Sequence, residues 1–137
     1  RYGETLMMKA ECLLRSGDAE GAAEIVNEVR ARSFDKKDKD GNEVPEDVYT
    51  LTAAQLNATT EVNGVQVQYG EFLQELGREF CGEAMRREQL IRFDDVYTKG
   101  SWWGHAPSGE TYRHLYPIPD RERTTNPELK QNDGYPL

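Results

Sequence analysis

A mainly α fold is predicted for this 137-residue chain by three observations. Two amphipathic stretches with a 3.6-residue apolar period are joined by Gly17-Asp18, a third such stripe begins at Tyr69, and the segments between and after them are ruled by charge, turn residues and proline. The expected architecture is a helical hairpin over 1–32, a loop region over 33–68, a further long, charged helix over 69–95, and an aromatic loop with an extended, clamp-like tail over 96–137.

The first helix is predicted from Tyr2 to Ser16. Tyr2, Leu6, Ala10 and Leu13 fall on one face with Leu14 on its flank, while Thr5, Met8 and Cys12 lie opposite. A helix with two apolar faces is buried on two sides. Gly17 stops it, Asp18 caps the next, and Ala22, Ile25, Val26 and Val29 form the stripe of a second helix from about Ala19 to Arg32. Small residues at Ala10 and Ala22 let the two approach, with Leu13, Val26 and Val29 around them, so the pair reads as one tetratricopeptide-like hairpin. Repeats of this kind bury a face on a neighbour, and the Met8/Cys12 face therefore asks for a partner helix.

From Phe34 to about Tyr49 the period stops and charge takes over, including Asp35, Lys36, Lys37, Asp38, Lys39 and Asp40. Asp38-x-Asp40-Gly41 has carboxylates two apart before a glycine, as calcium loops do. The positions of the first and last ligands of such a loop hold Lys36 and Asp47. The segment is thus a solvated turn, with Asp38 and Asp40 as weak metal candidates and no cofactor expected. Thr52 to Asn57 predicts one helical turn, and Glu61 to Gln68, with Asn63-Gly64 between valines, a short hairpin. The third helix is expected from Tyr69 or Gly70 to about Gln89, with Tyr69, Leu73, Leu76, Phe80 and Ala84 as its stripe. Glu83 and Arg87, four apart on that stripe, are expected to form a partly buried structural ion pair near the tail.

The tail holds the most distinctive pattern. Pro117 and Pro119 fix φ and remove two donors, so Tyr116 to Pro119 runs extended and stays out of a central strand. Asn126-Pro127-Glu128 reads as a capped helical turn, and Asp133-Gly134 as a turn that delivers Tyr135 for burial.

Composition narrows the function. The net charge of −8 argues against nucleic acid or anionic lipid as partner, since both need basic patches. No apolar run approaches the ~20 residues of a membrane span. Cys12 and Cys81 carry no zinc or disulfide-framework spacing and are expected as small apolar fillers. Glu79 and Glu83 are a poor glycosidase pair, because neighbouring arginines depress a carboxyl pKa that catalysis would need raised. His105 and His114 lack metal spacing, and no nucleophile elbow or phosphate loop is present. The chain is therefore not expected to be an enzyme.

Three motifs together carry a resemblance: Arg1-Tyr2-Gly3-Glu4-Thr5-Leu6-Met7-Met8-Lys9-Ala10-Glu11-Cys12-Leu13 followed by Val29-Arg30-Ala31-Arg32; the run Arg78-Glu79-Phe80-Cys81-Gly82-Glu83-Ala84-Met85-Arg86-Arg87-Glu88-Gln89-Leu90-Ile91-Arg92-Phe93; and Tyr116-Pro117-Ile118-Pro119, Asn126-Pro127 and Gln131-Asn132-Asp133-Gly134-Tyr135. In this order they resemble the carboxy-terminal portion of the SusD/RagB family of outer-membrane nutrient-binding lipoproteins. Gln89 stands where that family usually has Asp. The resemblance implies a non-catalytic glycan or nutrient receptor on the cell surface. It implies a SusC-like TonB-dependent porin as partner in oligosaccharide uptake, and membrane attachment only through a lipid anchor upstream of Arg1. Neither Cys12 nor Cys81 is a candidate for that anchor. The start at Arg1 is then expected to lie within a longer protein and the tail to mark its end.

The resemblance also implies that ligand contacts come largely from upstream segments. Within this chain Trp102, Trp103 and Tyr112 are the glycan-binding candidates, since a pyranose stacks its C–H face on an exposed ring. The adjacent tryptophans cannot both easily bury on one surface. One either faces solvent or covers the tail while the other packs on the helical core. A helical-repeat protein-interaction module without glycan binding is the competing reading, and the patterned tail speaks against it.

Overall fold

The computed structural model describes residues 1–34 and 36–136; Asp35 of the charged run lies outside them. Helix α1 (Tyr2–Ser16) and helix α2 (Ala19–Ala31) form the antiparallel hairpin. Gly17 closes α1 in the left-handed region at φ 92°, and the Asp18 amide donates back to the Leu13 carbonyl at 2.9 Å. The Asp18 carboxylate then accepts from the Gly21 amide at 2.9 Å and caps α2. Ala22, Ile25, Val26 and Val29 are buried, as the period requires.

The core face of α1 is rotated from the expected one. Met7, Ala10 and Leu14 are buried, Leu6 and Leu13 are only partly so, and Tyr2 is 73% exposed. Leu6/Leu13 and Met7/Leu14 are each seven apart, so periodicity supports either stripe. Glu11, buried beside Leu14, is met by Arg15 at 3.0 Å and by Arg92 at 2.5 Å, which fixes the rotation. Met8 and Cys12 stay exposed.

Short helices α3 (Glu46–Tyr49) and α4 (Ala53–Asn57) pack beside α2. Thr52 and Gln55 form a reciprocal capping box on α4, and Leu56 is wholly buried. Strands β1 (Thr59–Val62) and β2 (Val65–Gln68) pair antiparallel, with Val62 opposite Val65. Their two-residue turn has Asn63 at φ 53° and Gly64 at φ 83°, the pair of left-handed residues that a tight hairpin demands. One face of this hairpin, Val62 and Val67, enters the core.

The expected long third helix is two helices, α5 (Gly70–Glu79) and α6 (Arg86–Arg92), separated by a turn. Gly82 at φ 81° and Ala84 at φ 60° break the period. Glycine weakens a helix interior, and the break returns Leu90 and Phe93 to the core that Phe72 and Phe80 already occupy. The Phe72 and Phe93 rings lie 6.2 Å apart as a result. Arg86 folds back across Gly77 and donates to the Leu73 carbonyl at 2.6 Å. Cys81 falls in this turn and is exposed, so neither cysteine is the buried filler the sequence suggests.

Three carboxylates, each held by two arginines, bind the helices together. Glu11 takes Arg15 and Arg92, Glu75 takes Arg30 and Arg78, and Glu79 takes Arg1 at 3.1 Å and Arg32 at 2.5 Å. Arg30 and Glu75 are both buried, and the Arg30 Nε donates also to the Tyr49 carbonyl at 3.0 Å. Paired charges of this kind satisfy groups that burial would otherwise strand. Among the described residues no helix is long and apolar enough to cross a membrane.

Candidate functional site

Beyond α6 the chain turns sharply. Asp94 and Asp95 both adopt left-handed φ, 52° and 55°, and each has its carboxylate engaged. Asp94 accepts from the Gln68 amide at 3.0 Å. Asp95 caps helix α7 (Val96–Lys99), accepts the Thr98 hydroxyl, and meets His114 Nε2 at 2.8 Å. Burial pushes the Asp95 carboxyl up, but the hydrogen bonds from Thr98 and His114 outweigh it and hold the group below its usual value.

After α7 the aromatic loop is a miniature hairpin. Trp102 N–H donates to the His105 carbonyl at 3.1 Å and His105 N–H to the Trp102 carbonyl at 2.7 Å. Trp103 at φ 39° and Gly104 at φ 84° form its tip. Of the two alternatives for the tryptophans, Trp102 packs partly buried against the core and Trp103 faces solvent at 97% exposure. A bulky side chain held in the left-handed region at a loop tip is uncommon. Asn63 ties the loop to the β-hairpin, its side chain donating to the Ser101 carbonyl and its carbonyl accepting from the Ser101 amide, both at 2.9 Å.

Between this loop and α6–α7 lies a cleft of about 500 Å³ lined by Arg87, Leu90, Tyr97, Trp102, His105, Ser108 and Arg113. Arg87 is one of its charged walls. The guanidinium is sandwiched between the rings of Tyr97, at 5.0 Å, and Tyr116, at 4.3 Å. It donates to the Arg113 carbonyl at 2.6 Å, and its Nε is buried with no hydrogen-bond partner. The expected Glu83–Arg87 pair does not form, because Glu83 lies in the turn between α5 and α6 while Arg87 is in α6; Glu83 instead meets Arg1 at 2.6 Å. Arg87 does stand against the tail, through Tyr116.

The tail explains its own motifs. Leu115 to Pro119 is extended, and the prolines leave Ile118 the sole N–H of the Pro-Ile-Pro unit. The Gln131 side chain accepts that N–H at 2.8 Å and donates to the Ile118 carbonyl at 3.0 Å. Asn132 Nδ2 donates to the Tyr116 carbonyl at 2.8 Å, and the Tyr135 hydroxyl to the Leu115 carbonyl at 2.7 Å. The Gln-Asn-x-Gly-Tyr segment thus supplies as side chains the partners a β-neighbour would supply as backbone. The tail folds largely on itself; no described residue from 101 to 136 is fully buried. A helix α8 (Asp120–Thr125), not foreseen from the sequence, precedes Asn126, which caps the expected single turn by accepting from the Glu128 amide at 3.2 Å.

Tyr112, in a 3-10 turn over Thr111–His114, has its ring edge-on to Tyr135 at 4.9 Å and packed on Gly134. It belongs to the tail, apart from the Trp102 cleft. Asp38 accepts from the Asp40 and Asn42 amides at 2.8 and 2.9 Å and from Asn42 Nδ2 at 3.0 Å. The Asn42 bonds hold its carboxyl below the usual value. Its oxygens are engaged in its own turn, and among the described residues no group of three metal-ligating side chains forms around it and Asp40. Sequence reasoning missed the Tyr97–Arg87–Tyr116 stack and the Asp95–His114 bond, which join residues with no periodic relation.

Comparison with known proteins bears on the whole chain. A family model described as the SusD family matches residues 1–135. The starch-binding protein SusD of Bacteroides thetaiotaomicron is 31% identical over 142 aligned residues, covering 98% of this chain. The chain spans about a fifth (21%) of the length of that curated relative.

Proposed function

The chain belongs to the SusD family, and from that premise we propose that it is the carboxy-terminal part of a non-catalytic, cell-surface nutrient receptor. The receptor is lipid-anchored in the outer membrane through a segment upstream of Arg1. It binds oligosaccharide and passes it to a SusC-like TonB-dependent porin. The observation that carries this reading is the family match across residues 1–135, which takes in both the helical hairpin and the self-bonded tail. A starch-binding relative makes a glycan the natural ligand class. A non-catalytic role agrees with the chemistry of the candidate acids, since Glu79 and Glu83 are both met by Arg1.

Within this chain the proposed sugar contacts are Trp102, on the cleft wall, and Trp103, on the loop tip. An exposed ring offers a stacking surface for a pyranose, and cleft groups such as Ser108 and His105 orient hydroxyls. Affinity isolation from outer membranes tests the partnership: a large TonB-dependent porin should co-purify. Recovery of other proteins with no porin would instead favour a plain interaction module, a reading supported by the exposed Tyr2 and Met8 on α1.

A further inference from the structure

The charge of the cleft runs against the charge of the molecule. The chain has 25 Asp and Glu against 17 Lys and Arg, yet its cleft is lined by Arg87, Arg113 and His105 and by no carboxylate. Arg113 is compensated from outside the lining by Glu110 at 2.6 Å. Arg87 is not: two ring faces and one carbonyl meet its charge, and no carboxylate lies within ion-pair distance among the described residues. Arg86, which reaches from α6 to α5, also lacks an acid, but it lies outside the cleft and is held by the Leu73 carbonyl and the Gln74 side chain. An uncompensated, half-buried guanidinium beside an aromatic wall favours an anion that can also stack.

We propose that this cleft takes an acidic sugar, setting a carboxylate or sulfate on the pyranose against Arg87 while the ring face lies on Trp102. The inference rests on the glycan-receptor reading and narrows its ligand class. Neutral sugars would gain the stacking and the hydroxyl contacts from Ser108 and His105. Only an acidic sugar would also supply the counter-charge that Arg87 lacks.

Isothermal titration of the full chain with trigalacturonate, a sulfated galactose oligosaccharide and maltohexaose separates the outcomes. At least one acidic oligosaccharide should bind about tenfold more tightly than maltohexaose, and its affinity should fall as salt is raised. Preference for trigalacturonate assigns the carboxylate, preference for the sulfated sugar the sulfate. Arg87→Lys keeps the charge but loses the planar fork, and should weaken the preferred acidic ligand by about tenfold while leaving maltohexaose nearly unchanged. Should that variant lose its fold by circular dichroism, Ser108→Trp, which fills the cleft from an exposed position, should abolish binding of the acidic ligand. Equal or tighter binding of maltohexaose overturns the inference and leaves the receptor reading standing. Acidic binding that neither salt nor these variants alter also overturns it. No binding of any of the three overturns it together with glycan contact at this cleft.

Discussion

Arg87 occupies the position where residue-level reasoning and tertiary structure part most clearly. Four residues after Glu83, it looks like half of a helical ion pair; α5 ends at Glu79, Glu83 falls in the turn that contains Ala84 at φ 60°, and the guanidinium lies against Tyr97 and Tyr116 instead. Cation–π contacts contribute about 0.5–1 kcal/mol each and a charged hydrogen bond about 1.5, so Arg87→Ala should destabilise the chain by about 2.5–3.5 kcal/mol in denaturant titration. A loss below about 0.5 kcal/mol, the level of an ordinary surface substitution, would remove Arg87 as a keystone. Asp95 gives a pH-dependent counterpart. Its folded carboxyl is held below the unfolded value by Thr98 and His114. Its contribution is therefore full above the ordinary carboxylate value of about 3.9 and drains away as pH falls through the folded one. The melting temperature of Asp95→Asn should lie below that of the native chain at neutral pH, and the gap should close on acidification. A gap that stays constant across that range would show that the charge on Asp95 contributes nothing.

At the scale of elements, much was legible because the local signals are strong. Gly17-Asp18, the turn over Thr52 to Asn57, and Asn63-Gly64 each name one local geometry, and all three form it. The rotation of α1 was not legible, because the Leu6/Leu13 and Met7/Leu14 stripes share the same seven-residue spacing and are equivalent until Glu11 finds Arg92. The break between α5 and α6 was available only as Gly82 inside an otherwise continuous stripe. It can be tested by sign. In a continuous helix Gly82→Ala would stabilise by about 1 kcal/mol. At φ 81° with open space around the added methyl, it should instead destabilise by about 1 kcal/mol. Chemical denaturation of this single variant distinguishes the two structures. The tail's prolines predicted extension correctly, but the Gln131 bonds to Ile118 span thirteen residues that no local rule connects.

At the scale of the whole molecule, the apolar fraction of 36% is modest, and three arginine-held carboxylates supplement the core. Glu75 is the most consequential, because Arg30 beside it is buried. Glu75→Ala should cost about 3–5 kcal/mol by leaving that charge unpaired, measured as a shift in denaturation midpoint; a cost near zero would mean that the network is ornamental. The family was legible from three ordered motifs, whereas the cleft was not. Its lining comes from α6, α7, the aromatic loop and the 3-10 turn, and only their packing brings Arg87, Tyr97, Trp102 and Ser108 together. The central claim is that a receptor chain contacts its glycan through this cleft. NMR titration of isotopically labelled chain with oligosaccharides, following the two tryptophan indole N–H signals, tests it most directly. The expected result is saturable shifts at Trp102 and Trp103 and in the Ser108 amide, with α1 and α2 unmoved. Shifts confined to the α1–α2 hairpin, or no shifts at any ligand concentration, would contradict it.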